Sequence, residues 1–394
     1  MKYDVIIIGA GFAGSVMAER FANEMNKKVL LLDQRSHIGG NMYDFIDENN
    51  IIVHQYGPHL FHTNYKEVYE YLKRFGEWFK YEHRVLGKVN NKIVPIPFNI
   101  TSIKESFEEE KANKLIKILI DEFGKEKKIP ILELRKHSDK DINDLAEYIY
   151  ENVFLYYTMK QWGQTPEQID PNVTNRVPVF VSEDDRYFQD EYQFMPKKGY
   201  SEIFKNMLSN KNITIRLNTS ANDILKIENN KVFFEDKEFD GPIIYTGAID
   251  ELLNYKYGKL EYRTLEFETE TINNEFFQPV GTVNYPTKED KFTRITEFKH
   301  MTMEDAKTNK TTIMREYPME YKNNGDIPYY PINNDKNAEI YNKYRSEIEK
   351  INDFYLLGRL AQYKYYNMDL IIKEALELFE KIKGETKWKI KKAK

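Results

Sequence analysis

The sequence predicts a mixed α/β protein of more than one domain. A parallel sheet is built from the two ends of the chain and is interrupted by a helical bundle and an antiparallel sheet. Three observations carry this expectation. A β-branched run, Val5-Ile6-Ile7-Ile8, leads straight into Gly9-Ala10-Gly11-Phe12-Ala13-Gly14 and then into residues of helical composition. Residues 103–157 place apolar side chains three and four apart, as in Ala112-Leu115-Ile116-Leu119 and Leu145-Ile149-Val153. Residues 213–319 alternate apolar and polar side chains, the period of half-buried strands. At roughly 150 residues per domain, 394 residues suggest two or three domains.

In chain order, Lys2 to Ile8 reads as a buried strand, Ser15 to Met25 as a helix, and Lys28 to Leu32 as a second strand ending in Asp33. Gly9, Gly11 and Gly14, with Ala13 between the last two, allow a tight turn, a close approach of backbone to a pyrophosphate, and close helix–strand packing. The helix start supplies free N–H groups and the positive end of a dipole. Asp33 falls where a carboxylate meets ribose hydroxyls. Together these predict a Rossmann-like dinucleotide site. After Asp33 come Gln34, Arg35, His37 and Gly39-Gly40-Asn41, a spacing that resembles glutathione-reductase-like flavoproteins, in which this loop passes under FAD. No second GxGxxG exists among the 18 glycines, so FAD is expected rather than NAD, and a separate nicotinamide domain is not.

The middle is read as a mainly helical insertion over residues 81–185, with a long loop at 166–183 that serves as a mobile lid over a binding site. Residues about 186–230 and 255–334 are assigned to an antiparallel substrate sheet. Residues 1–80, about 195–250 and 335–394 are assigned to the discontinuous FAD-binding domain. Late in the chain, Asp353 to Leu357 reads as a strand, followed by Gly358-Arg359, a tyrosine-rich loop and a helix from about Met368 to Lys381. Such a strand returns to the first sheet, and the helix start then faces the flavin N1–C2=O edge.

Composition excludes several chemistries. The chain has no cysteine, so disulfides, thiolate metal sites, iron–sulfur clusters and cysteine nucleophiles are ruled out. A net charge of −5 offers no broad basic field for nucleic acid. The longest uncharged apolar stretch, Val5 to Ala18, is broken by three glycines and a serine and falls short of the about 20 residues a membrane helix needs. No metal site is expected. Aromatic residues are abundant, with 29 Tyr, 24 Phe and 3 Trp, so cores rich in aromatic side chains are expected and some tyrosines are candidates for lining a cleft.

Among single residues, His59 in Tyr56-Gly57-Pro58-His59-Leu60-Phe61-His62-Thr63 is presented by a stiff Gly-Pro turn, either beside the flavin or in the core. Lysine far outnumbers arginine here. Arg176 in the lid and Arg294 in a strand are therefore candidates for bidentate contacts to a diphosphate. Trp162, at the lid entrance, could stack on a planar base or pack in the core.

The turn GAGFAG, HIGGN, YGPHLFHT, the run Thr158-Met159-Lys160-Gln161-Trp162-Gly163, Asp185-Arg186-Tyr187-Phe188, Pro328-Tyr329-Tyr330-Pro331 and Gly358-Arg359-Leu360 followed by Tyr365 resemble the bacterial UDP-galactopyranose mutase family over about residues 1–380. The resemblance implies a flavin-dependent isomerase without net redox change. It would convert UDP-galactopyranose to UDP-galactofuranose for cell-surface polysaccharide synthesis, with N5 of reduced FAD attacking the anomeric carbon. By motif, the resemblance implies that His59, Arg176 and Arg294 are catalytic, with the two arginines on the diphosphate. Thr158 and Trp162 would lie at the uridine end. Tyr187, Tyr330 and Tyr365 would bind phosphate oxygens, and His83, Asn284 and Glu316 would line the cleft. The cofactor set would be Gly9, Gly11, Ala13, Gly14, Asp33, Gln34, Arg35, Gly40, Asn41, His59, Leu60, Arg359, Tyr366, Asn367, Met368, Asp369 and Leu370. The implied partners are a UDP-sugar and an external flavin reductant, in a cytoplasmic homodimer.

Three positions depart from the family pattern. Asn367 stands where aspartate is common, His83 where asparagine is usual, and Phe180 where a second lid arginine is usual. A sister mutase acting on UDP-N-acetylgalactosamine or on a TDP-6-deoxysugar such as TDP-fucopyranose is the alternative. A flavin amine-oxidase-like oxidoreductase and a non-catalytic flavin-binding protein are the other classes.

Overall fold

The computed structural model describes residues 2–168, 178–302, 308–322 and 325–392, with side chains as far as 385. A five-stranded parallel sheet runs in the order Ile213–Arg216, Val29–Leu32, Val5–Ile8, Ile243–Tyr245, Phe354–Leu356. Every residue of Val5–Ile8 and Val29–Leu32 is buried, because both faces of these strands are covered. On one face Val5, Ile7, Val29 and Leu31 pack under the helices Phe12–Met25 and Met368–Lys392, and Phe21 meets Phe379 edge-on at 5.4 Å. On the other, Ile6, Ile8, Leu30 and Leu32 meet the helix Asp335–Ile348 and a small antiparallel sheet of Leu225–Glu228, Lys231–Phe234 and Lys237–Glu238.

A seven-stranded sheet forms the second layer. Its order is Tyr330–Pro331, Tyr262–Ile272, Thr311–Glu320, Arg294–Glu297, Thr282–Asn284, Val85–Val89, Lys92–Ile96. It is antiparallel except where Thr282–Asn284 runs parallel to Val85–Val89. The helices Ile100–Ser106, Glu109–Phe123, Ile131–Leu134, Lys140–Ile149 and Leu155–Trp162 close over one end of it. Ala112, Leu115, Leu119, Leu145, Ile149 and Val153 are all buried there, as their spacing predicts. Between the last two helices lies a turn of π-helix, Tyr150–Phe154. No helix among the described residues is long and apolar enough to cross a membrane.

Two expectations about the middle need correction. No strand within residues 186–230 joins the large sheet. Tyr192–Pro196 pairs with Phe61–Thr63 and Trp78–Lys80, Ile213–Arg216 edges the parallel sheet, and Leu225–Glu228 belongs to the small sheet. Alternation shows that one face of a strand is covered but not what covers it. Residues 81–185, read as mainly helical, also supply the hairpin Val85–Val89 and Lys92–Ile96, which ends the large sheet. In the segment read as a lid, Pro166–Gln168 is a 3-10 turn and Val179–Phe180 is a short buried strand paired with Lys128–Ile129. Residues 169–177, Arg176 among them, lie outside the described residues.

Candidate active site

The site has two halves. The first surrounds the turn between Val5–Ile8 and the helix Phe12–Met25. Gly9 adopts φ +98°, and a Cβ there would stand 2.0 Å from Thr246 Oγ1. A Cβ on Gly14 would meet the Gly9 carbonyl oxygen at 1.9 Å, so the helix seats directly on the turn. Gly40, at φ +56°, faces Gly11 backbone to backbone, and a Cβ on it would lie 2.9 Å from Gly11 Cα. Gly11 caps the helix without a side-chain hydrogen bond, which leaves the first-turn N–H groups to an anion. Asp33 is held from both sides: one oxygen accepts the Ala10 N–H at 2.8 Å and the other the Arg35 N–H at 2.9 Å. Arg35 donates to Asn41 Oδ1 at 2.9 Å and lies 4.5 Å above the Tyr56 ring. Its Nη1 is buried with no partner among the described residues.

The second half is a row across the large sheet. Asn284 is paired in register with Arg294, and Arg294 with Glu316, so the three side chains share one face on adjacent strands. Arg294 donates to both oxygens of Glu316, from Nε at 3.0 Å and Nη2 at 2.8 Å. Burial disfavours the guanidinium charge, but Glu316 outweighs it and raises the Arg294 pKa. Two of the five guanidinium N–H donors are thus committed to the carboxylate. The expectation of an arginine dedicated to a diphosphate becomes that of an arginine held in place by a carboxylate.

Aromatic side chains wall this row. Tyr330 stacks on Tyr365 with ring centres 6.0 Å apart and lies 5.6 Å from Trp162. Arg359 sits 4.6 Å from the Tyr365 ring and 5.4 Å from Tyr330, with its two terminal nitrogens donating to the carbonyls of Tyr329 and Tyr366. Tyr187 stands edge-on to His83 at 6.0 Å, and its N–H donates to the His83 carbonyl. Burial pushes the Tyr157 and Tyr330 phenols up, Tyr330 to about 12, so both stay O–H donors at neutral pH.

His59 stands between the halves. Its backbone N–H donates to His54 Nδ1 at 3.0 Å, and its own Nδ1 bonds the Gly57 carbonyl at 2.8 Å. That carbonyl can only accept, so Nδ1 carries the ring proton. Burial first, then His54, Arg359 and Arg294, hold the His59 pKa down at about 3. The ring is neutral and presents Nε2 as an acceptor. Burial, followed by Arg294, likewise holds His83 down at about 3.

The fold thus brings His59, His83, Arg294, Glu316, Asn284, Tyr187, Tyr330, Tyr365 and Trp162 into one neighbourhood. Gly9, Gly11, Ala13, Gly14, Asp33, Arg35, Gly40 and Asn41 gather at the adjoining turn. Met368, Asp369 and Leu370 form the first turn of the last helix, where Asp369 accepts the Leu370 N–H, while Asn367 and Gln34 are exposed and Leu60 packs on the core. Thr158 is buried in its helix. Two tyrosines escaped the sequence reading. Tyr157 is close enough to Arg294, Glu316, Tyr187 and Tyr330 to feel each of them. Tyr329, buried, senses Arg35 on one side and Tyr330 on the other, and so joins the halves. The available signal was adjacency: Tyr157 precedes Thr158, and Tyr329 precedes Tyr330.

A family model described as UDP-galactopyranose mutase matches residues 152–365, and one for the NAD(P)-binding Rossmann-like domain matches residues 7–75. The chain is 36% identical over 387 residues to UDP-galactopyranose mutase of Mycoplasma genitalium, covering 96% of this chain and 95% of the relative. It is 33% identical over 374 residues to dTDP-fucopyranose mutase of Escherichia coli, covering 95% of this chain and 96% of that one. Among solved structures it is similar to the crystal structure of reduced UDP-galactopyranose mutase, with a TM-score of 0.71 at 16% sequence identity over 98% of this chain and 94% of that chain.

Proposed function

The chain belongs to the UDP-galactopyranose mutase family, and we propose that it interconverts UDP-galactopyranose and UDP-galactofuranose with the help of a reduced FAD. The observation that carries this reading is the Asn284–Arg294–Glu316 row facing a tyrosine and tryptophan wall next to a glycine-lined dinucleotide turn. The residues of the first half fit a flavin dinucleotide. Gly11 and Gly40 leave no side chain in the way, the helix start is open to phosphate, and Arg35 has a buried donor to give. Bound and reduced, the flavin supplies a nucleophilic N5 for the anomeric carbon, which splits one hard displacement into two steps.

The chain's own residues do the rest. Arg294 turns its remaining N–H donors to the diphosphate and stabilises the charge that UDP gains as it leaves. Glu316 holds that guanidinium in one orientation. Tyr187, Tyr330 and Tyr365 donate O–H groups to phosphate oxygens, and Trp162 packs on the base. Neutral His59 offers Nε2 as an acceptor toward the cofactor without placing a positive charge there. Arg176 is proposed as a second diphosphate ligand. An external reductant, a homodimer and a cytoplasmic setting belong to the same proposal.

A sister substrate is the second reading, favoured by the similarity to dTDP-fucopyranose mutase and by the departures at Asn367, His83 and Phe180. One experiment separates these readings. Reduced, flavin-loaded protein is incubated with UDP-galactopyranose, UDP-N-acetylgalactosamine and dTDP-fucopyranose, and the products are resolved by anion-exchange chromatography. Conversion of UDP-galactopyranose with the highest kcat/KM is expected, and only after reduction. A higher value for another sugar selects the sister mutase. Turnover of none of them overturns the proposal, and stoichiometric consumption of oxygen or NAD(P)H would reveal an oxidoreductase.

A further inference from the structure

Resting on that reading for what the cleft binds, we propose that Lys160 is a positioning residue. Its ammonium fastens the loop between Asn284 and Arg294 to the helix that carries Tyr157, Thr158 and Trp162. The geometry is specific. Lys160 Nζ donates to four backbone carbonyls, of Tyr285 at 2.6 Å, Thr287 at 3.0 Å, Asp290 at 2.9 Å and Phe292 at 2.8 Å. All four belong to one hairpin loop. Its stem is the Asn284–Arg294 pair, and it closes with the Tyr285 N–H donating to the Thr293 carbonyl at 2.8 Å.

Four carbonyl oxygens converging on one point repel each other and are costly to leave unpaired. A cation at that point removes both penalties, so the loop closes around the ammonium as a carbonyl cage closes around a metal cation. Three N–H donors serve four acceptors, which requires at least one shared hydrogen. Burial pulls the ammonium down to about 8, against the opposing pull of Asp290 and Glu289. The four carbonyl dipoles favour the charged form as well.

The other end of the linkage is fixed too. Arg263, buried on the strand Tyr262–Ile272, donates from Nε to the Gln161 carbonyl and from Nη2 to the Lys160 carbonyl, each at 3.1 Å. The backbone of Lys160 is therefore tied to one strand of the large sheet while its side chain holds the loop between two others. Arg263 itself pairs in register with Tyr330. Through these two cations, Trp162 and Tyr330 on one side and Asn284 and Arg294 on the other keep one separation. An arginine could not replace the lysine, because a planar fork diverges from a point where four acceptors converge.

The test uses the flavin-loaded full chain with Lys160→Met and Lys160→Ala. It measures flavin content, melting temperature, UDP and dTDP affinity by titration, and kcat and KM separately. Both variants are expected to retain flavin. Their KM and UDP Kd should rise by about tenfold or more while kcat changes less than about threefold, the size of one lost charge-assisted contact. Methylammonium is expected to restore part of the affinity of Lys160→Ala and none of that of Lys160→Met, whose side chain fills the space. Affinity within about threefold of wild type would overturn the proposal. So would loss of flavin or of the folded state, since Lys160 would then support the fold at large. Wild-type protein that binds UDP but turns over no sugar nucleotide would overturn the functional reading and leave this one standing.

Discussion

The two halves of the cleft are made of different material. The dinucleotide turn is built from backbone: Gly9, Gly11, Gly14 and Gly40 matter for the side chains they lack, and Asp33 is aimed by two main-chain N–H groups. The wall proposed for the substrate is built from side chains contributed by separate strands and a helix, with Asn284, Arg294 and Glu316 meeting only because three strands align in register. A backbone site tolerates almost no added atom, whereas a side-chain site tolerates loss in graded steps. Substitutions in the two halves should therefore fail differently.

The sharpest contrast comes from Gly14→Val. Its Cβ would lie 1.9 Å from the Gly9 oxygen, so helix and turn must separate. Overpacking of this kind costs about 3 kcal/mol or more. The expected result is protein with little or no bound flavin, read from its visible absorbance. A flavin-loaded Gly14→Val would break the contrast. Arg294→Ala should instead keep its flavin while kcat/KM falls by about a hundredfold, the size of a lost charge-stabilising donor. It also leaves Glu316, 2% exposed, without its ion-pair partner, and stability should drop by about 2–3 kcal/mol in urea unfolding. Turnover within a few-fold of wild type would remove Arg294 from the diphosphate.

A pH experiment probes the joint between the halves. His54 is buried, accepts the His59 N–H at Nδ1, and is held by burial at about 4. The unfolded side chain titrates near 6.5. Below about pH 6.5 the unfolded chain takes up a proton that the folded chain refuses, so the stabilisation is full above that pH and is lost as pH falls toward 4. Urea unfolding should show stability lower by about 1–2 kcal/mol at pH 5 than at pH 7 from this residue, and His54→Gln should remove that share of the dependence while the buried His59 and His83 keep theirs. The smallest effect is expected from Tyr157→Phe. Loss of one hydroxyl should raise KM by about three- to tenfold, close to 1 kcal/mol, with flavin content unchanged. A collapse in kcat instead would give Tyr157 a chemical role.

The same contrast explains what could be read in advance. The turn, helix, second strand and Asp33 lie within one short stretch, and each glycine answers to a local steric demand, so sequence exposes them. The fate of residues 186–230 was not legible, because an alternating strand says that one face is covered without saying by which sheet. Lys160 stood in a motif already singled out, yet its partners are main-chain carbonyls of residues 285–292, which leave no mark in side-chain identity. Arg294 was legible as a candidate cation. Its pairing with Glu316 depends on a register between strands and appears only in three dimensions.

The parallel sheet has a consequence for how the protein is made. Its strands come from residues 5–8, 29–32, 213–216, 243–245 and 354–356, and the helix that covers one face begins at Met368. On a ribosome, the first two strands emerge more than three hundred residues before their sheet acquires its last strand and its lid of helix. The nascent chain must carry the edges of those two strands unpaired until residues 213–245 emerge, and one apolar face uncovered until the last helix does, the stage at which exposed strands are most open to aggregation or chaperone capture. The sheet is completed late in the life of the chain, and lesions in its final strand should act on the yield of folded protein from cells more than on the activity of the molecules that complete the sheet.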